Sequence, residues 1–173
     1  MQSDAVLDLF RKAGGLLEGH FRLTSGLHSG RYLQSALVLQ FPDFAEALGK
    51  AVAARTAHLQ PTAVLSPALG GIVIGQEAGR ALGVRALFAE RVDGVLTLRR
   101  GFSLTSADRV LVVEDVITTG GSAQRAIAAV EGAGGRVLGV LAVVDREEGG
   151  RATLEREGRK VVALVRAGEL GLK

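Results

Sequence analysis

The chain has 173 residues, 47% of them hydrophobic and 23% charged, with a net charge of +3. That is one domain's length, and its longest apolar run, residues 137–144, falls far short of the roughly twenty residues needed to cross a bilayer. Cysteine is absent, which excludes a disulfide framework, a thiolate metal site and a cysteine nucleophile.

Residues 1–4 show no basic start leading into an apolar core, so no signal peptide is expected, and the expected location is the cytoplasm. The basic side chains are 17 arginines against 4 lysines. Arginine suits bidentate carboxylate and phosphate contacts. A GC-rich genome also supplies it, and the excess is too small and too scattered to point to nucleic acid.

Residues 5–12 carry apolar side chains at helical spacing and are closed by Gly14-Gly15, which predicts an amphipathic helix. A second helix is predicted from Pro42 to about residue 59. Proline opens it, Glu46 lies near its positive end, and Phe44, Leu48 and Val52 share a face. The pattern then changes to continuous apolar runs at 63–65, 84–88, 110–113 and 137–144, with helical stretches at 71–82 and 121–131. Runs without alternation fit strands buried on both faces of a parallel sheet. Their alternation with helices predicts an α/β fold with right-handed connections. Ligands in open α/β sheets bind beyond the carboxyl ends of the strands, so the segments to search are 66–71, 89–94, 114–122 and 145–150.

The chemistry is concentrated between Arg109 and Ser122. An apolar strand delivers Glu114 and Asp115 to its end, and Val116, Ile117, Thr118, Thr119, Gly120, Gly121 and Ser122 then open a helix. The loop is built for an anion: glycines let the backbone approach, hydroxyls donate, and the helix N-terminus offers free N–H groups. Two carboxylates would repel that anion unless the same ligand also brings hydroxyls or a cation. A sugar phosphate meets both requirements. No lysine follows the glycines, so the loop is not a P-loop.

This stretch resembles the phosphoribosyl pyrophosphate (PRPP) motif of type I phosphoribosyltransferases. The resemblance implies that fold: a central parallel sheet flanked by helices, under a small hood. The expected layout is a single domain, residues 1–173, with a hood of about 15–40 plus C-terminal residues and a core of about 41–165. It also implies that Glu114 and Asp115 hydrogen-bond the ribose hydroxyls. Val116 to Ser122 would then hold the rest of the sugar phosphate.

Two further segments resemble orotate phosphoribosyltransferases. Gly19-His20-Phe21-Arg22-Leu23-Thr24-Ser25-Gly26-Leu27-His28-Ser29-Gly30-Arg31-Tyr32 is similar to the segment that caps their base site. Asp145-Arg146-Glu147-Glu148-Gly149-Gly150 is similar to the segment whose arginine meets orotate. A planar guanidinium at Arg146 suits the orotate carboxylate, which a purine lacks. The resemblance places Ser25, Tyr32, Thr118 and Arg146 at orotate. His28 reads as a hydrogen-bonding loop residue rather than a catalytic one.

The turn after the first sheet strand, Ser66 to Gly71, is implied to hold pyrophosphate, often with a non-proline cis peptide. Leu69 and Gly70 stand where many relatives carry lysine, leaving backbone N–H groups. Thr24 stands where a PRPP-binding lysine is frequent. Residues 88–94 occupy the place of a mobile loop that acts in a neighbouring subunit, and Arg91 is its candidate cation.

The implied reaction joins orotate to PRPP, giving orotidine 5′-monophosphate and pyrophosphate, with Mg²⁺ bound mainly through PRPP, in a homodimer. The alternatives are a purine phosphoribosyltransferase and a PRPP-sensing regulator of the same fold. Against the regulator, no coherent basic face is evident.

Overall fold

Val64, Leu111, Val113, Leu141 and Val143 belong to one buried cluster, whereas their chain neighbours Ala63, Leu65, Val110, Val112, Val140 and Ala142 belong to a second. Successive side chains of a strand point to opposite faces, so these strands are covered on both sides. That is why they read as unbroken apolar runs.

The structure is a computed structural model and describes residues 1–22, 26 and 28–170. Helix α1 (Ser3–Lys12) precedes an antiparallel hairpin of β1 (Leu16–Arg22) and β2 (His28–Leu33), which forms a two-stranded sheet of its own. Helices α2 (Ser35–Leu39) and α3 (Pro42–Thr56) follow. Then come β3 (Ala63–Pro67), α4 (Gly71–Leu82), β4 (Arg85–Val92), β5 (Val95–Leu98), β6 (Arg109–Ile117), α5 (Gly121–Gly132), β7 (Arg136–Asp145), α6 (Gly150–Arg156) and β8 (Val161–Arg166), with a 3₁₀ turn at Ala167–Leu170. The six-stranded sheet has the order β5-β4-β3-β6-β7-β8. All its pairings are parallel except β4 with β5.

The predicted helix at 71–82 coincides with α4. The helix from Pro42 ends at Thr56 and tightens into a 3₁₀ turn, Ala57–Leu59, because Gln60 turns left-handed with φ of 52°. Two expectations change. The apolar run at 84–88 continues to Val92 and returns through β5, with Asp93 and Gly94 both at positive φ as a two-residue hairpin turn requires. Strand β6 extends through the acidic pair to Ile117, so Glu114 lies inside the sheet rather than at an exposed end.

Candidate active site

Strand β6 ends at Ile117, and the chain crosses to α5 through Thr118, Thr119 and Gly120. Gly120 is left-handed, with φ of 86°. The first amides of α5 have no intrahelical acceptor, so they point with the helix dipole into the space above the loop. That space is a cavity of about 260 Å³ lined by Glu114, the backbone and hydroxyls of Thr118 to Ser122, and Arg125. Arg125 lies one turn into α5, and its Nη1 would sit 3.4 Å from a Cβ placed at Gly121.

The loop is fastened to the segment after β7. Gly150 N–H donates to the Thr118 carbonyl at 2.9 Å, and Arg146 N–H donates to the Ile117 carbonyl at 2.9 Å. A Cβ at Gly150 would lie 2.4 Å from the Thr118 carbonyl oxygen and 2.5 Å from the Gly120 nitrogen, so only glycine permits this approach.

Glu114 is 4% exposed. Burial pushes its carboxyl well above its ordinary value, and the adjacent Asp115 charge pushes it further; Arg125 opposes both. Asp115 is also raised, chiefly by burial, although the backbone N–H groups of Val116 and of Asp115 itself hold it down in part. Both acids are therefore easier to protonate than surface carboxyls. A Cβ at Gly70 would fall 2.8 Å from Asp115 Oδ2, so the side-chainless turn is what lets this carboxylate lie against it. The Ala68–Leu69 peptide in that turn is cis.

A second cavity, of about 210 Å³, is lined by Arg22, Tyr32, Ser35, Asp115, Thr118 and Arg146, among others. Arg146 is 9% exposed. Its Cζ stands 5.1 Å from the Tyr32 ring centroid, and its Nη2 is 3.6 Å from Glu148 Oε1. The ring thus orients the guanidinium by a cation–π contact, with Phe21 supporting it at 5.5 Å between centroids. Asp145 fixes the turn that carries Arg146: its Oδ1 accepts the Glu147 N–H at 2.9 Å, and its Oδ2 accepts Arg151 Nε at 2.7 Å. Glu147, at φ of 57°, is tied through Oε2 to the Gly168 N–H at 2.7 Å.

The structure brings together Tyr32, Glu114, Asp115, the segment Val116 to Ser122, and Arg146. Gly70 touches this group through Asp115. Leu69 is 84% exposed and lines neither cavity, and Arg91 is exposed on the β4–β5 hairpin and lines neither. Ser25 and Thr24 lie outside the described residues.

Three polar lining residues, Gln34, Ser35 and Arg125, escaped the sequence reading, and Arg22 and Glu148 entered it only within longer segments. Ser35 is the most informative. It is 2% exposed and lines the cavity, and its Oγ has no hydrogen-bond partner among the described residues, so it is available to a ligand or a water there. Only Arg125 left a sequence signal, a cation one helical turn beyond the glycine loop.

For a Mg²⁺ ion, the acidic pair supplies the hard oxygen donors this cation prefers. No cluster of three or more acidic, histidine or cysteine side chains occurs among the described residues. The donors fit an ion carried mainly by substrate and water oxygens.

No family model matches the chain. It is 56% identical over 149 residues to the orotate phosphoribosyltransferase of Pelotomaculum thermopropionicum, covering 86% of this chain and 78% of that protein. It superposes on Mycobacterium tuberculosis orotate phosphoribosyltransferase in complex with inorganic phosphate, with a TM-score of 0.81, 28% identity and 97% of each chain covered. The PRPP complex of that enzyme matches with a TM-score of 0.78 and 28% identity, over 96% of this chain and 99% of that one. A parallel sheet with an anion loop and an acidic pair at its carboxyl edge defines a type I phosphoribosyltransferase. Within that class the chain belongs to the orotate phosphoribosyltransferase family.

Proposed function

We propose that the chain transfers the phosphoribosyl group of PRPP to orotate, giving orotidine 5′-monophosphate and pyrophosphate, a step of de novo pyrimidine synthesis. The observation that carries this reading is that Val116 and Thr118 line both cavities. The arginine suited to a carboxylate and the loop suited to a phosphate therefore line adjoining cavities at one strand end.

Arg146 takes the orotate carboxylate bidentately, and Ser35 Oγ pairs with a polar edge of the ring. The amides at the start of α5, with Thr118, Thr119, Ser122 and Arg125, take the 5′-phosphate. Glu114 and Asp115 hold the ribose 2′- and 3′-hydroxyls. A protonated Glu114 donates as well as accepts, which suits a hydroxyl.

Orotate N1 attacks C1′ as the C1′–O bond to pyrophosphate breaks, with inversion. The oxocarbenium-like transition state needs no protein nucleophile. The chain contributes alignment and fixed charge. The backbone N–H groups of Leu69 and Gly70 face the leaving pyrophosphate. Asp115, which lies against Gly70 in this turn, would help hold a substrate-borne Mg²⁺, and that ion would add to the neutralisation of the charge. Arg91 reaches pyrophosphate from the hairpin of a neighbouring subunit, which makes the working form a two-fold dimer. The location is the cytoplasm.

The test is an absorbance assay of orotate consumption with PRPP and Mg²⁺, with adenine, hypoxanthine and uracil in parallel. Turnover of orotate alone is expected. Turnover of a purine would overturn the assignment of Arg146 to a carboxylate.

A further inference from the structure

The arginines divide by partner. Arg11, Arg31, Arg80, Arg85, Arg100, Arg146, Arg151 and Arg159 each lie within 4.0 Å of a carboxylate. Arg55 and Arg166 do not, yet they converge on one cavity.

That cavity, of about 390 Å³, lies along β8 at the edge of the sheet, away from the candidate active site. Its charged lining is Arg55, Arg151, Arg166 and Glu169. Arg55 donates only to main-chain carbonyls, those of Ala163 at 3.2 Å and Met1 at 3.4 Å. The Arg166 guanidinium makes no hydrogen bond or ion pair among the described residues. The single acid is already engaged: Glu169 accepts the Arg166 backbone N–H at 2.7 Å and Ser3 Oγ at 3.3 Å. Arg151 is already paired with Asp145 at 2.7 Å and faces Glu155 at 3.6 Å, so Arg55 and Arg166 against Glu169 leave one net positive charge facing a concave space. Two guanidinium forks with no carboxylate partner of their own suit the oxygens of a phosphate, which such forks hold bidentately.

The cavity also connects to the active site through one side chain. Arg151 lines it while giving Nε to Asp145 and Nη1 to the Val161 carbonyl at 3.1 Å. Asp145 in turn holds the turn that presents Arg146.

We propose that this cavity binds inorganic phosphate or the phosphate of a phosphomonoester, and that the bound anion braces Arg151 against Asp145. Binding is measured directly and does not depend on the substrate assignment above.

Isothermal titration calorimetry with inorganic phosphate should find one more equivalent in the wild type than in the Arg55→Gln/Arg166→Gln double variant, whose substitutions lie on exposed side chains outside the substrate cavities. At ten times the dissociation constant of this cavity, phosphate should raise the wild-type unfolding midpoint by about 3 °C more than that of the double variant, which keeps only the phosphate loop of α5. Hydrogen exchange at the Glu147 and Gly168 amides should slow with phosphate in the wild type alone. A parallel titration with adenosine 5′-monophosphate distinguishes the sources: tighter binding than phosphate assigns a monoester, and weaker or equal binding assigns the free ion. Equal stoichiometry and affinity in both proteins would overturn the site, as would an equal stabilisation by chloride at matched ionic strength. Unchanged exchange in the wild type would overturn the link through Arg151.

Discussion

Gly150 rests on Gly120. A Cβ on the latter would stand 3.1 Å from the Gly150 Cα, and one on the former would penetrate the peptide between Thr118 and Gly120. Two loops from different strand ends are thereby held at backbone contact, so the phosphate loop and the Arg146 segment move as one body. Gly150→Ala should push them apart. The expected cost is about 1–3 kcal/mol of stability, the usual range for overpacking, together with higher KM values for both PRPP and orotate. Denaturant unfolding and steady-state kinetics check this. A rise in one KM alone would mean that the loops are independent.

Tyr32 and Arg146 give a more selective test. Arg146→Ala should raise the orotate KM far more than the PRPP KM, because the guanidinium lines the cavity beside Tyr32 and not the one over the α5 loop. Tyr32→Phe keeps the ring under Arg146 and should be nearly silent. Tyr32→Ala should reproduce part of the Arg146→Ala phenotype, since the guanidinium loses the ring face that orients it. Equal effects of Arg146→Ala on both KM values would remove it from the carboxylate role.

The parallel sheet was legible because its strands are buried on both faces and therefore read as unbroken apolar runs. The anion loop was legible because its chemistry is contiguous from Glu114 to Ser122. Ser35 was not, since a lone serine at the start of a five-residue helix resembles an ordinary capping residue. It becomes informative only when its hydroxyl proves buried and unsatisfied. Arg22, Gln34 and Ser35 lie far along the chain from Asp115, Thr118 and Arg146, and only the fold brings the two groups together. The β4–β5 hairpin was hidden because β5 has a buried Leu96 between exposed neighbours, too short a pattern to distinguish a strand from a loop.

The raised carboxyls imply a specific pH dependence. Glu114 binds its proton more tightly when folded than its ordinary value of 4.5 allows. Between that pH and the folded value the native state holds more protons than the unfolded one, so this group's stabilising contribution is full below about pH 4.5 and declines as pH rises through the folded value. Glu114→Gln removes the decline. The variant should gain stability relative to the wild type as pH is raised from 4 to 8, while PRPP turnover falls. Thermal unfolding across that range is the measurement. A pH-independent stability difference would mean that Glu114 is not held protonated by burial.

Arg125 lines the cavity over the α5 loop together with Glu114 and opposes protonation of that carboxyl, and its two roles separate experimentally. As a phosphate contact, its loss in Arg125→Gln should raise the PRPP KM roughly tenfold, the weight of one charge-assisted hydrogen bond, and leave the orotate KM almost unchanged. As the positive charge that opposes protonation of Glu114, its loss should let that carboxyl hold its proton to higher pH. A limb of the kcat/KM profile governed by Glu114 should then move toward alkaline pH. Arg125→Lys keeps the charge and should restore the profile more completely than it restores PRPP affinity, because an ammonium cannot reproduce the planar fork. If Arg125→Gln raises the PRPP KM without moving the profile, the charge acts on the phosphate alone; if neither changes, Arg125 only lines the cavity.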